Sequence, residues 1–259
     1  LVVEAKFDQA RQAIAGLRHR GHRQQRLHAR VDVGAVGVDF LQRGTREQAA
    51  LGARVILVGR SREKLDRALA EISEESGNSK VAAEQADLSL MSEVRKLAAR
   101  LLEQEKELHV LVNNAAVLPV EKTMTAEGLE TAFATNLLSP WLLTRLLMPR
   151  LKASAPARIV NVSSGGMYLS GVDVEKLLDP SGPYDGSRSY ARAKRGLMVL
   201  TETWARELAD SGVVVNAMHP GWADTPGVQD SLPAFRRVTR SVLRTPEQGA
   251  DTIVWLAAA

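Results

Sequence analysis

The chain contains no cysteine, which removes disulfides, thiolate metal sites and cysteine nucleophiles from consideration. No apolar run approaches the roughly 20 residues needed to cross a bilayer. The opening segment LVVEAKFDQARQAIAGLRHRGHRQQRLHAR has neither an apolar core nor a small-residue cleavage site, so it does not read as a signal peptide. Cytoplasmic placement is therefore the default expectation, and a start at Leu1 rather than Met suggests a fragment. The first 60 residues hold 11 Lys/Arg against 5 Asp/Glu, and His19, His22 and His28 lie close together. That basic stretch lacks interleaved aromatics and any nucleic-acid-binding motif, so no nucleic-acid partner is expected. No metal site is expected either.

What remains is an ordinary globular composition, 45% hydrophobic and 25% charged over 259 residues, enough to bury a large core. From residue 51 the pattern becomes regular. ARVILVG (53–59) is a continuous apolar run, the mark of a strand buried on both faces. Ser61 caps a helix through REKLDRALAEISEES. KVAAEQADL (80–88) reads as a strand, followed by a helix opened by Ser89 or Ser92. LHVLVNNAA (108–116), ARIVNVSS (157–164) and GVVVNAMHPG (212–221) read as strands, with long helices over 126–152 and 188–209. Buried strands alternating with amphipathic helices predict a doubly wound parallel sheet, a Rossmann-like three-layer α/β/α sandwich, with its site at the carboxyl ends of the strands.

Tyr190 and Lys194 in SYARAKRG stand four apart on one helix, hence on one face. A cation one turn from a phenol favours the phenolate and makes tyrosine a usable acid/base near neutrality. Alone this pair is weak evidence, because exposed Tyr–Lys pairs at that spacing are common. Four strand ends strengthen it. RIVNVSSGG ends on Ser163 and Ser164, LVNNAAV on Asn113, Asn114 and Ala115, and HPGW on Pro220 and Gly221; Arg60 ends ARVILVG. Small and polar residues thus gather at one sheet edge.

These passages resemble the short-chain dehydrogenase/reductase family over roughly residues 50–259, in its retinol-dehydrogenase-like branch. NNAA stands for N-N-A-G, YARAK for Y-x-x-x-K, and PGWADT for P-G-x-x-x-T. The resemblance implies a hydride transfer between NADP(H) and a small-molecule hydroxyl/carbonyl substrate. Tyr190 would move the proton, Lys194 would lower its pKa and bind the nicotinamide ribose, and Ser164 would hold the substrate oxygen. Asn136 would complete the set: Pro140 has no N–H, so the Asn136 carbonyl loses its helical partner and can hold a relay water. Arg60, where an acid would select NAD(H), suits a 2′-phosphate, with Ser61 and Arg62 adding contacts. NADP(H) is therefore preferred and NAD(H) is the alternative. Asp87 and Leu88 (in ADLS), Asn113, Ala115, Pro220, Gly221 and Thr225 complete the expected cofactor contacts. Met167, Tyr168 and Trp222 suggest an apolar or lipid-like substrate. A homodimer through the long helices is the default assembly.

Two departures stand against this. The chain stops at VWLAAA, before the last strand expected of the family. The fingerprint T-G-x-x-x-G-x-G, expected about 18 residues before Gly52 at the first βα turn, has its glycines on Ala35, Asp39 and Leu41 instead. Gly34 and Gly37 give only G-x-x-G, and no helix N-terminus is evident to hold a phosphate. Residues 11–46 match neither a Rossmann strand nor its helix. A one-nucleotide shift of RHRGHR (18–23) could encode Val-Thr-Gly-Ala-Thr-Gly. The expectation is an atypical segment over 1–46, from a foreign frame or misjoined exon, and the recognisable domain over 47–259. The alternative function is a catalytically silent binding protein. A sugar-nucleotide epimerase has little room for its substrate subdomain.

Overall fold

The computed structural model describes residues 31–35, 41–178, 183–224, 233–239 and 243–258. Among these, six strands form one parallel sheet: β1 Val31–Ala35, β2 Arg54–Gly59, β3 Val81–Gln85, β4 Val110–Asn113, β5 Ala157–Val162 and β6 Val213–Met218. Their order is β3-β2-β1-β4-β5-β6. The chain winds outward from β1 in both directions, so the switch point lies between β1 and β4. Ligands bind in the crevice beyond the strand ends at such a point. The helices are α1 Leu41–Ala50, α2 Arg62–Ser76, α3 Met91–Gln104, α4 Thr131–Phe133, α5 Ser139–Ala153, α6 Val174–Leu178, α7 Gly186–Glu207, α8 Pro233–Thr239 and α9 Pro246–Ala258.

Alternation along the strands divides the core into two layers. Ile56 and Val58, with Leu111 and Ile159, face α3, α5 and α7 through Leu97, Leu101, Leu147, Leu151 and Trp204. Val55 and Leu57, with Val110, Val112, Val160 and Val162, face α1, α2 and α9 through Ala49, Leu65, Ile72 and Ile253. A strand apolar at every position is thus one that serves both layers.

Most elements lie where their sequence periods put them. Ser61 caps α2 by accepting from the Lys64 amide at 3.3 Å. For α3 the expected serine caps are replaced by a remote one. Leu90 is the N-cap residue, and the Glu127 carboxylate accepts from the amides of Met91 (2.6 Å) and Ser92 (2.9 Å). A carboxylate at a helix N-terminus meets both free amides and the positive end of the helix dipole.

The first βα unit corrects the sequence reading. Val31–Ala35 pairs in parallel with both β2 and β4, and Leu41–Ala50 forms a helix. The stretch held to match neither a strand nor a helix therefore supplies the central strand, and the boundary drawn at residue 46 falls inside α1. VDVGA is short enough, and apolar enough at alternate positions, to be completed by pairing on both sides. The intervening residues 36–40, with Gly37 and Asp39, lie outside the described residues.

Leu57 has no exposed surface and sits mid-strand in the second layer. Leu57→Ala is expected to lower stability by about 2–5 kcal/mol, read by urea unfolding with an unchanged m-value. A loss under about 1 kcal/mol, typical of a site free to collapse, would show that this layer is not tightly packed.

Candidate active site

The long helix predicted over 126–152 is built in three pieces. After α4 the helix widens into a π-turn over Ala134–Leu138, and the Ser139 amide reaches back to the Ala134 carbonyl. Pro140 follows at once and offers no N–H to the Asn136 carbonyl, which relieves the ladder of its ordinary register here. The π-turn swings the Asn136 side chain, fully buried, toward the loop after β4. Its Oδ1 accepts from the Val117 amide and its Nδ2 donates to the Val117 carbonyl, both at 2.8 Å. Helix α7 packs directly on this turn: a Cβ at Gly196 would stand 2.7 Å from Leu137 Cδ2.

Beside that turn, the end of β5 and the start of α7 meet. Ser164 follows β5, and its Oγ accepts from the Gly166 amide at 3.2 Å. A Cβ at Gly166 would stand 3.5 Å from Ser164 Oγ and 3.9 Å from Tyr190 Cε1, so the serine hydroxyl and the tyrosine ring flank the same glycine. Lys194, 2% exposed, donates from Nζ to the Val162 carbonyl at 2.7 Å and lies 5.8 Å from the centre of the Tyr190 ring. Ser164, Tyr190 and Lys194 are thus brought together at one sheet edge.

The expected lowering of the Tyr190 pKa by Lys194 is not found. Burial pushes the Tyr190 phenol above its ordinary value, and the Ser164 hydroxyl only partly opposes this. Burial pushes the Lys194 ammonium down to about 8. The cation that would favour a phenolate is itself disfavoured by desolvation.

A cleft of ≈ 500 Å³ opens at the other side of the switch point. It gathers Arg60 and Ser61 after β2, Asp87 and Leu88 after β3, and Ala115 after β4, five of the residues expected to meet a cofactor. Asp87 Oδ1 accepts from the Ser89 amide at 2.9 Å and shapes that turn. Ala116, where the family has glycine, also lines the cleft. Lys64, one turn into α2, was not anticipated; with Arg60 it puts two cations on one wall. Nor was Thr135, whose Oγ1 is buried in this wall with no hydrogen-bond partner among the described residues. Lys64 could have been found by placing the residue one turn beyond Arg60 at the end of β2, whereas Thr135 is brought to the wall by the π-turn, 22 residues after β4 ends.

Other expected contacts fall elsewhere. Arg62 pairs with Asp66 one turn along α2, because its side chain lies on the outer face of that helix. Asn113 turns its amide inward, donating to Thr144 Oγ1 (3.0 Å) and Asn161 Oδ1 (2.8 Å); Asn161 in turn donates to Thr201 Oγ1 at 2.9 Å. It braces β4 against β5, α5 and α7, and only its main chain can meet a ligand. Pro220 and Gly221 end β6 apart from the cleft walls. Gly221 has φ +75° and its amide donates to His219 Nδ1 at 3.1 Å. Met167 is buried and accepts at 3.4 Å from the Ser163 hydroxyl, so it does not present an apolar surface. Thr225 lies outside the described residues. No cluster of metal-ligating side chains occurs among the described residues, and no described helix is long and apolar enough to cross a membrane.

A doubly wound sheet with a switch-point cleft beside a Ser–Tyr–Lys group defines a dinucleotide-binding α/β protein. The chain belongs to the short-chain dehydrogenase/reductase family: the family model described as short chain dehydrogenase matches residues 43–234. Dehydrogenase/reductase SDR family member 12 of Bos taurus is 41% identical over 213 residues, 82% of this chain and 66% of that protein. Retinol dehydrogenase 11 of Homo sapiens is 37% identical over 80% of this chain and 65% of its own. The chain thus spans about two thirds of the length of these curated relatives. A metagenomic short-chain oxidoreductase solved in complex with NADP is 26% identical, with a TM-score of 0.68 over 91% of this chain and 93% of that one.

The depressed Lys194 pKa fixes a sign for stability. Between about 8 and the ordinary 10.5, the unfolded chain binds the Lys194 proton and the folded chain does not, so stability rises with pH there. Unfolding free energies of the wild type and Lys194→Met, measured across that range, should differ by an amount that shifts in favour of the wild type as pH rises. A difference independent of pH would mean that the buried amine is protonated throughout.

Proposed function

We propose that this chain is an oxidoreductase that moves a hydride between NADP(H) and a hydroxyl/carbonyl substrate. The observation that carries the reading is the joining of two features at one sheet edge: the Ser164–Tyr190–Lys194 group and the cleft bearing Arg60, Ser61 and Lys64. The cleft fits the adenosine end of the cofactor. Asp87, Leu88 and Ala115 suit the adenine side, and the unpartnered Thr135 hydroxyl is a donor awaiting an acceptor. Arg60 and Lys64 form no ion pair among the described residues, which suits a 2′-phosphate better than a bare ribose hydroxyl.

The nicotinamide, when bound, supplies or accepts the hydride. The chain's own residues handle the proton and the developing charge. Tyr190, a neutral phenol at neutral pH and the more so for its burial, donates to a carbonyl oxygen, while Ser164 hydrogen-bonds the same oxygen. Lys194 binds the nicotinamide ribose and replenishes the phenol. Asn136, whose carbonyl receives no bond from Pro140, holds the water that supplies Lys194. The substrate is apolar: Tyr168 and Leu169 stand 74% and 84% exposed just beyond Ser164, and Trp222 is half exposed beyond β6. Retinol dehydrogenases among the relatives act on such a molecule. Homodimerisation through the outer faces of α5 and α7, where Trp141 and Val199 are exposed, belongs to the same reading.

Fluorescence titration should show saturable NADPH binding, and a panel of apolar aldehydes and ketones should show NADPH-dependent reduction. Tyr190→Phe should cut turnover roughly 10²–10⁴-fold while NADPH still binds; unchanged turnover would remove Tyr190 from its role. Arg60→Ala should weaken NADPH roughly 10–100-fold and leave NADH nearly untouched. Equal losses for the two cofactors would count against selection by the 2′-phosphate.

A further inference from the structure

Glu130 is the N-cap residue of α4 and is only 4% exposed. Its Oε1 accepts from the Ala132 amide at 3.1 Å and its Oε2 from the Phe133 amide at 2.7 Å. Two further donors come from a distant part of the chain. The Tyr184 hydroxyl reaches Oε1 at 2.9 Å and the Ser189 hydroxyl reaches Oε2 at 3.1 Å. No cation pairs with this carboxylate among the described residues. A buried carboxylate is tolerated only when its hydrogen-bonding capacity is filled, and here two amides and two hydroxyls fill it.

Helix capping alone does not call for glutamate. Serine, threonine, aspartate and asparagine are the preferred caps because their shorter side chains fold back on the first amides. The extra methylene carries the carboxylate outward to where Tyr184 and Ser189 can also reach it. What the longer side chain adds is a cross-link between two helices. One is α4, which leads within six residues to Asn136. The other is α7, whose first turn contains Ser189, the neighbour of Tyr190. The same junction is closed on its other side by Gly186, where a Cβ would fall 2.0 Å from the Pro119 carbonyl oxygen. Pro119 belongs to the loop that Asn136 holds at Val117.

We propose that Glu130 is a positioning residue for the reaction: through Tyr184 and Ser189 it fixes the first turns of α7, and so the Tyr190 hydroxyl, against Asn136 and Ser164. This rests on the assignment of Tyr190 as the acid/base. Glu130 touches no reacting atom, and its effect passes through the placement of α7.

Glu130→Asp separates the two duties. Aspartate still caps the Ala132 and Phe133 amides but falls short of the two hydroxyls. The expected outcome is a thermal midpoint close to that of the wild type, a kcat for carbonyl reduction lowered roughly 10–100-fold, and a KM for NADPH unchanged. The pair Tyr184→Phe with Ser189→Ala should reproduce the loss with Glu130 intact, which guards against a folding defect in the first variant. The placement is also read without turnover. The chain has three tyrosines, Tyr168, Tyr184 and Tyr190, so protein labelled with meta-fluorotyrosine gives three fluorine resonances. In Glu130→Asp the resonances of Tyr184 and Tyr190 should move and that of Tyr168 should not. An unmoved Tyr190 resonance overturns the proposal even if the wild type reduces no carbonyl, a result that would instead defeat the functional reading. Unchanged kcat in both variants overturns it as well.

Discussion

Asn136 gives both ends of its amide to one residue, accepting from the Val117 N–H and donating to the Val117 carbonyl. The rest of the site depends on this clamp. At the carboxyl edge of a parallel sheet the chain leaves each strand with its main-chain groups unpaired, and in a dry interior each must find a partner. A side-chain amide carries a donor and an acceptor side by side and so can satisfy the N–H and the carbonyl of one residue together. By doing so, Asn136 fixes the loop that forms one wall of the cleft, and it does this from the π-turn on which α7 rests. The cleft and the Ser164–Tyr190–Lys194 group are therefore set relative to one another by one buried contact, reinforced by the close approach at Gly196.

The same dryness explains why the tyrosine is not activated in the manner its spacing suggests. The Tyr–Lys pair is usually argued as an ion beside a phenol, with Coulombic attraction winning. Here desolvation acts on both groups and in opposite senses, raising the phenol and lowering the ammonium to about 8. Lys194 retains one strong partner, the Val162 carbonyl, which holds the amine in place whichever way its proton lies. Burial thus keeps the phenol in its neutral form and shifts the amine toward its own neutral form.

How much of this could be read from the sequence depends on the range of the contact. Strand positions and the gathering of Arg60, Ser61, Asp87, Leu88 and Ala115 follow from local signals, since apolar runs and the residues that end them are written consecutively. Tyr190 and Lys194 follow from helical spacing, and Pro140 correctly pointed to a disturbed ladder at Asn136. Contacts between distant segments left no such trace. Glu127 capping α3 from 36 residues away, Asn113 turning inward to Thr144 and Asn161, and Glu130 reaching Tyr184 are all decided by tertiary approach. VDVGA was misread for a related reason. A five-residue strand carries little pattern of its own, and what makes it the centre of the sheet is the pairing offered by β2 and β4.

The two cations of the cleft show how local and distant constraints combine. Arg60 occupies the last turn out of β2, so its place follows from the strand. Lys64 arrives beside it only because Ser61 caps α2 and sets the helix phase, bringing the residue one turn on back over the same cleft. Asp66 pairs with Arg62 on the outer face of α2 and Glu84 with Arg100, which leaves Asp87 as the acidic side chain on the cleft lining. Arg60 and Lys64, which form no ion pair among the described residues, thus stand on the cleft lining beside the N-terminus of α2.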